Sequence, residues 1–161
     1  MPYRLRASRS SEASPYDLRV PWRAVKLNIP DGTAEIEDCA FVNCKSLAGV
    51  TISNSVTRIG AGAFSECSSL LNLTIPESVT EIGARAFCGC SSLTSLTLPG
   101  SVSEIGWKAF ACCRSLTSLT ISGDTTYPVL CMLSACSSLA DLKTESAAFR
   151  NCPFDCRVVQ R

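Results

Sequence analysis

Eleven cysteines offer this chain its most varied chemistry, since thiols bind metals, form disulfides and act as nucleophiles. Five of them recur every 23 residues, at Cys44, Cys67, Cys90, Cys113 and Cys136. No pair has the C-x-x-C spacing of a zinc ribbon. Stacked thiols of this kind would have parallel Cα–Cβ bonds, which do not face each other as a disulfide requires. The recurring cysteines therefore predict a column of free, buried thiols.

The six remaining cysteines lie outside this column, and we expect them to be partly exposed: Cys39, Cys88, Cys112, Cys131, Cys152 and Cys156. A bridge between Cys152 and Cys156 would be a local link at the C-terminal end. The odd total of cysteines favours a reducing compartment.

Catalytic residues of the common kinds are missing. The sequence contains no histidine, which excludes Ser-His-Asp and Cys-His arrangements. Glu81 and Glu104 are equivalent positions of adjacent repeats, in a column that also contains Glu35 and Arg58. A carboxylate pair needs a cleft between its members, and a stacked column of solvated side chains offers none. We therefore predict that the chain is not an enzyme and has no catalytic residue, cofactor or metal site.

The 23-residue period extends to apolar residues along most of the chain. The recurring positions are Ile29, Ile52, Ile75, Leu98 and Ile121; Ile36, Ile59, Ile82 and Ile105; Phe41, Phe64, Phe87 and Phe110, followed by Leu133; and Leu47, Leu70, Leu93, Leu116 and Leu139. A fixed period of this length is typical of a repeat architecture.

Each repeat predicts four local elements. LTSLTLP, which ends at Pro99, alternates apolar and small polar residues as a short half-buried strand does. A turn and a second extended piece, SVTEIG, come next, and Gly83 is expected to let the chain turn. In ARAFCGCSSL, the spacing of Ala86, Phe87 and Cys90 predicts one helical turn that faces the core.

Such a unit cannot bury its own apolar side, so the repeats are expected to stack and share one core. The unit IP-x-SVT-x-IG-x-x-AF-x-x-C-x-SL-x-x-L-x-I resembles the BspA-like leucine-rich repeat, from about Lys26 to Leu142. The resemblance implies an α/β leucine-rich-repeat solenoid with parallel strands on one face and short helices or turns on the other. The first unit departs from the pattern at Glu37, where glycine is expected, and the fifth lacks the VTEIG portion.

Three regions follow from this pattern: a basic N-terminal tail or cap in residues 1–25, the solenoid in 26–142, and a partial repeat or cap in 143–161. The solenoid has four clear repeats and a degenerate fifth. Solenoid ends need covering, and the candidate capping side chains are Leu18, Val20, Trp22, Phe149, Phe154 and Val158.

The net charge of +1 combines a basic start with an acidic remainder. Without aromatic residues at stacking intervals, this basic start does not predict nucleic-acid binding.

The resemblance also implies protein binding or adhesion, since members of the family are often surface proteins of bacteria and protists. We therefore predict a non-catalytic protein–protein interaction module whose partner is another protein or a cell-surface macromolecule. Two alternatives are a structural fragment of a longer array and an ice- or crystal-surface binder. The chain shows no secretory signal and no membrane-spanning run, which favours an intracellular location.

Candidate binding residues are those that alternate with the buried strand positions. They are Thr51, Thr74, Thr97 and Thr120, flanked by Gly49, Asn72, Ser95 and Ser118. Threonine also stabilises sheets by itself, which is the alternative explanation for this column. Trp107, with Arg85 and Lys108 nearby, is a second candidate anchor, and a capping or core role is the alternative for its ring.

Overall fold

The structure of the chain is a computed structural model, and it describes residues 3–6, 17–19, 25–123, 132–144 and 157–160. Side chains are described for 25–123 and 132–143. Of the expected capping residues, Leu18 and Val158 lie in strands whose side chains are not described, and the other four lie outside the described residues. Cys131, Cys152 and Cys156 also lie outside them.

One side of the molecule is a seven-stranded sheet. Its strands are β3 (Lys26–Asn28), β5 (Gly49–Thr51), β7 (Asn72–Thr74), β9 (Ser95–Leu98), β11 (Ser118–Ile121), β12 (Asp141–Thr144) and β13 (Arg157–Gln160). They pair in chain order and all in parallel, as the stacking of repeats predicts. In the three-residue strands β3, β5 and β7, the central residue, such as Leu73, is buried, and its two neighbours face outward.

A second parallel sheet contains the shorter extended piece of each repeat. Its strands are β4 (Thr33–Ile36), β6 (Arg58–Ile59), β8 (Glu81–Ile82) and β10 (Glu104–Ile105), again paired in chain order. Two N-terminal strands, β1 (Tyr3–Arg6) and β2 (Asp17–Arg19), extend this sheet beyond β4. Each of the first four repeats thus contributes one strand to each sheet, and their apolar side chains lie between the sheets.

Turns replace the short helix that the sequence predicts on the remaining side of each repeat. Residues 25–123 contain no helix. Two residues of each repeat have left-handed backbone conformations, for example Arg85 with φ 56° and Gly89 with φ 77°. The equivalent positions elsewhere are Cys39, Gly62 and Lys108, and Asn43, Glu66, Cys112 and Ala135. An α-helix needs a φ near −63° at every residue, so these turns are not helical. Residues 25–123 therefore form a parallel-strand β-solenoid, and the predicted α/β alternation is not found in them.

Hydrogen bonds between repeats explain why these turns persist. The amides of Arg85, Phe87 and Gly89 donate to the carbonyls of Trp107, Ala109 and Ala111 in the next repeat, at 3.0, 2.8 and 2.9 Å. In a helix the same amides would donate to carbonyls four residues back along the chain. The contacts between repeats therefore use the backbone N–H donors that an α-helix would need for its own hydrogen bonds.

The core consists of the predicted columns. Phe41, Phe64, Phe87 and Phe110 stack with ring centroids 5.1, 5.3 and 5.3 Å apart and with nearly parallel planes. The five column cysteines are buried, as expected. Met132, Leu133 and Leu142 are also buried, so the core continues into the fifth repeat.

Glycines in the second extended piece have a different role from the predicted one. Gly83 does not have a positive φ, so the turn does not require its conformational freedom. A Cβ atom on Gly83 would lie 2.5 Å from the backbone nitrogen of Ala61 in the preceding repeat. Gly60 and Gly106 have similar approaches to their own preceding repeats. These glycines allow close packing of successive turns.

Candidate interaction surface

The outward side of the seven-stranded sheet carries the predicted threonine column. Thr51, Thr74, Thr97 and Thr120 are register partners in adjacent strands. Asn72, Ser95 and Ser118 form a second outward row, which begins at Gly49. We call these eight residues the threonine face. Thr120 and Ser118 are half-buried, and the other side chains of the face are exposed.

Two shallow depressions lie on the threonine face. The larger, of about 490 Å³, has a lining of polar and apolar residues: Asn72, Leu73, Thr74, Ile75, Pro76, Glu77, Ser95, Thr97 and Pro99. The second, of about 280 Å³, lies over β3 and β5 and shares Asn72 and Thr74 with the first. Nothing lies within 4 Å of the position where a Cβ on Gly49 would be, so this end of the face is open.

The eight residues of the threonine face offer hydrogen-bonding groups but carry no charge, and Glu77 adds a carboxylate to the larger depression. Hydroxyl and amide side chains both donate and accept hydrogen bonds. Charged outward residues occur at the ends of the described sheet, at Lys26 in β3 and at Asp141 and Lys143 in β12. The central part of the face thus suits a partner that is recognised through neutral polar contacts.

Trp107 does not belong to this surface. It follows β10 of the other sheet and is 52% exposed, which contradicts a core role for its ring. The Arg85 guanidinium carbon lies 5.2 Å from the ring centroid, and the Lys108 ammonium nitrogen lies 4.2 Å from it. These are cation–π distances. The structure therefore groups Trp107, Arg85 and Lys108, and keeps them apart from the threonine face.

The column of Glu35, Arg58, Glu81 and Glu104 contains an ion-pair network instead of a catalytic carboxylate pair. Arg58 donates to Glu35 on one side and to Glu81, at 3.0 Å, on the other. The pKa of Arg58 is raised, first by the hydrogen bond to Glu81 and also by Glu35, against the lowering effect of burial. Register also sets Glu104 beside Glu81.

Asp38 is a member of this network that sequence reasoning missed. It lies 3.4 Å from Arg58 and accepts a 2.8 Å hydrogen bond from the Ala61 amide. Asp38 stands outside the charged column, so periodicity alone offered no signal for it. Its contacts show that the network links successive repeats.

The buried thiols donate hydrogen bonds to backbone carbonyls of the preceding repeat. Cys67 and Cys90 donate to Phe41 and Phe64 over 3.2 and 3.3 Å, and Cys113 and Cys136 make the same contact. Burial raises the pKa of Cys67 to about 12 and that of Cys90 well above its usual value. The Cys67 and Cys90 thiols therefore stay protonated near neutral pH, which suits packing and not nucleophilic chemistry.

The cysteines outside the column differ in exposure. Cys39 is exposed, whereas Cys88 and Cys112 are half-buried. Burial raises the pKa of the Cys88 thiol. Within the described residues, no group of three or more metal-binding side chains occurs, and no helix has the length and apolar character needed to cross a membrane.

Comparison with solved structures identifies similar molecules. A leucine rich cell surface protein from Faecalibacterium prausnitzii A2-165 is 34% identical, with a TM-score of 0.73, over 78% of this chain and 34% of its own. A leucine rich repeat protein of T. pallidum is 28% identical, with a TM-score of 0.65, over 75% of this chain and 59% of its own. The pneumococcal vaccine antigen PcpA, at 22% identity and a TM-score of 0.67, shares the fold over 79% of this chain and 32% of its own.

The chain therefore spans about a third of the length of the Faecalibacterium prausnitzii protein. No curated protein sequence matches it. The family model described as the BspA type leucine rich repeat region matches in six copies over residues 23–140. With this match over most of its length, and with the solenoid described above, the chain belongs to the BspA type leucine-rich-repeat family.

Proposed function

We propose that this chain is a non-catalytic protein-interaction module that binds a partner protein on the threonine face. The observation that carries the proposal is the pair of depressions that opens among the in-register hydroxyl and amide side chains of β5, β7 and β9. Sheet stabilisation accounts for threonine at strand positions, at about 0.2–1 kcal/mol for each cross-strand pair. It does not account for open depressions lined by both polar and apolar groups.

The shape of the face supports a protein partner. Its side chains are small, so the backbone of a partner can approach closely and exchange hydrogen bonds with several repeats at once. The stacked repeats hold these groups on a sheet of paired strands, which reduces the entropy lost on binding. Without aromatic or arginine anchors on the face, we expect its affinity to come from many modest contacts.

Adhesion at a cell surface is the setting that we propose for this binding. The Faecalibacterium prausnitzii relative is a cell surface protein, and its similarity covers most of this chain. A surface protein that binds another protein through a repeated, uncharged face would suit this role, because solenoid faces offer extended contact areas.

The test uses the whole chain, immobilised and panned against a display library of natural protein fragments. Retained fragments are then titrated against the Thr74→Arg, Thr97→Arg double variant, which fills the larger depression with charge. A matched control is the Thr57→Arg, Thr80→Arg variant, which makes the same changes at exposed threonines beside the other sheet. Circular dichroism checks that both variants fold.

We expect the threonine-face variant to weaken binding at least about tenfold, which corresponds to about 1.4 kcal/mol, and the control to change it less than about twofold. If both variants weaken binding equally, or if neither does, the proposed surface is wrong.

A further inference from the structure

The repeat does not need an aromatic side chain at Trp107. The same position of the two preceding repeats is Ala61 and Ala84, and both of those repeats pack into the same core. The Trp107 ring is 52% exposed, so it adds little to that core. A large exposed aromatic ring at a position where alanine suffices indicates a role outside folding.

Two cations approach this ring from backbone positions that favour glycine. Arg85 and Lys108 have φ values of 56° and 57°, at the repeat position where Gly62 also stands. A side chain in this left-handed conformation costs free energy that glycine avoids. Among the described residues neither cation makes an ion pair, yet both lie within 5.2 Å of the Trp107 centroid.

We propose that Arg85, Trp107 and Lys108 form a docking site for an acidic segment of a partner protein. We choose an acidic partner because of charge complementarity, since two cations without an ion pair among the described residues lie at one exposed ring. Carboxylates two residues apart on an extended segment lie about 7 Å from each other, within reach of both cations, while their methylene groups contact the indole. Arginine and tryptophan are also the residues that most often dominate protein interfaces.

This inference rests on the proposed function only in assuming that the chain binds proteins, because it uses a different surface. The threonine face is neutral at its centre and suits hydrogen bonding, whereas the Trp107 site is cationic and aromatic. One partner with an acidic tail, or two separate partners, would engage both surfaces.

The test measures fluorescence anisotropy with a labelled twelve-residue peptide made of Glu-Glu-Phe-Gly blocks. The matched probe has glutamine in place of glutamate. Heparin is a third probe, which tests whether the site binds an anionic polysaccharide instead of a peptide. The variants of the full chain are Trp107→Ala and the Arg85→Gln, Lys108→Gln pair. The charge control is Lys45→Gln with Arg114→Gln, which removes the same charge from two other exposed sites.

We expect the glutamate peptide to bind, each site variant to weaken binding at least about tenfold, and the charge control to change it less than about twofold. Raising the salt concentration weakens binding to the intact site. Because alanine fills this position in other repeats, Trp107→Ala is expected to remain folded, which circular dichroism checks.

Three results would overturn the inference. The first is equal loss of binding in the site variants and the charge control, and the second is equal binding of the glutamate and glutamine peptides. The third is tight binding of heparin through Trp107 without binding of the peptide. The Thr74→Arg, Thr97→Arg variant separates the two proposals. It should still bind the acidic peptide, whereas its binding to partners of the threonine face should be lost.

Discussion

At the scale of single residues, the buried thiols link the stability of the fold to pH. Burial disfavours the thiolate of Cys67 and raises its pKa in the folded chain to about 12. In the unfolded chain a cysteine loses its proton near pH 8.5. Between these two pKa values the folded state binds more protons than the unfolded state, so the free energy of unfolding falls as pH rises. Below pH 8.5 the stabilisation that comes from the protonated thiol is fully present.

We predict that stability decreases from about pH 9 upward, by on the order of 1 kcal/mol per pH unit for each such thiol. Urea denaturation at several pH values measures this slope. The matched variant is Cys67→Ser, whose hydroxyl can donate to the Phe41 carbonyl as the thiol does but does not titrate in this range. An unchanged slope in Cys67→Ser would show that Cys67 does not cause the dependence.

At the scale of the repeat element, close approach between successive turns decides which residues are tolerated. Gly83 lies against the backbone of Gly60 and Ala61, which cannot move aside as a flexible side chain would. Asp38, Arg58 and the Ala61 amide tie the first two turns together through side-chain contacts. Tight spacing of the turns therefore depends on both a missing side chain and specific polar contacts.

We predict that Gly83→Ala destabilises the chain by about 1–3 kcal/mol, because its methyl group overlaps the preceding repeat. Gly49→Ala is the matched control, since it also lacks a positive φ and has open space around its Cβ position. The control should be neutral or stabilise by up to about 1 kcal/mol. Chemical denaturation of both variants checks the prediction, and equal effects at the two sites would contradict it.

At the scale of the whole molecule, stability arises from contacts between neighbouring repeats. Phe87 stacks on both Phe64 and Phe110, whereas Phe41 stacks on Phe64 alone among the described residues. Both rings are essentially buried. A substitution in the middle of the column therefore interrupts two interfaces, and one at Phe41 interrupts one.

We predict that Phe87→Leu costs about 0.5–1.5 kcal/mol more than Phe41→Leu, which is the contribution of one additional aromatic pair. Both variants lose the same atoms, so the difference in the free energy of unfolding isolates the stacking. Urea denaturation provides that difference. Equal losses would mean that the rings act through burial alone.

Local spacing along the chain is enough to predict the repeat, its register and the side chains that face inward. The 23-residue period places Phe41, Phe64, Phe87 and Phe110 in one column, and alternation within each strand directs Thr74 and Thr97 outward. Both follow from local spacing, because equal steps along the chain become equal positions in successive turns. Family membership follows from the same pattern, and the residues that bind a partner stay predictions.

Features that depend on contacts between turns could not be predicted from this spacing. The predicted helix is absent because the amides of residues such as Phe87 donate to the next repeat, and Arg85 and Gly89 have left-handed conformations. The role of Gly83 and the contact between Asp38 and Arg58 depend on atoms 20 or more positions away in the sequence. The exposure of Trp107 was likewise decided by how the turns stack, whereas Arg85 and Lys108 were already expected near it from the sequence.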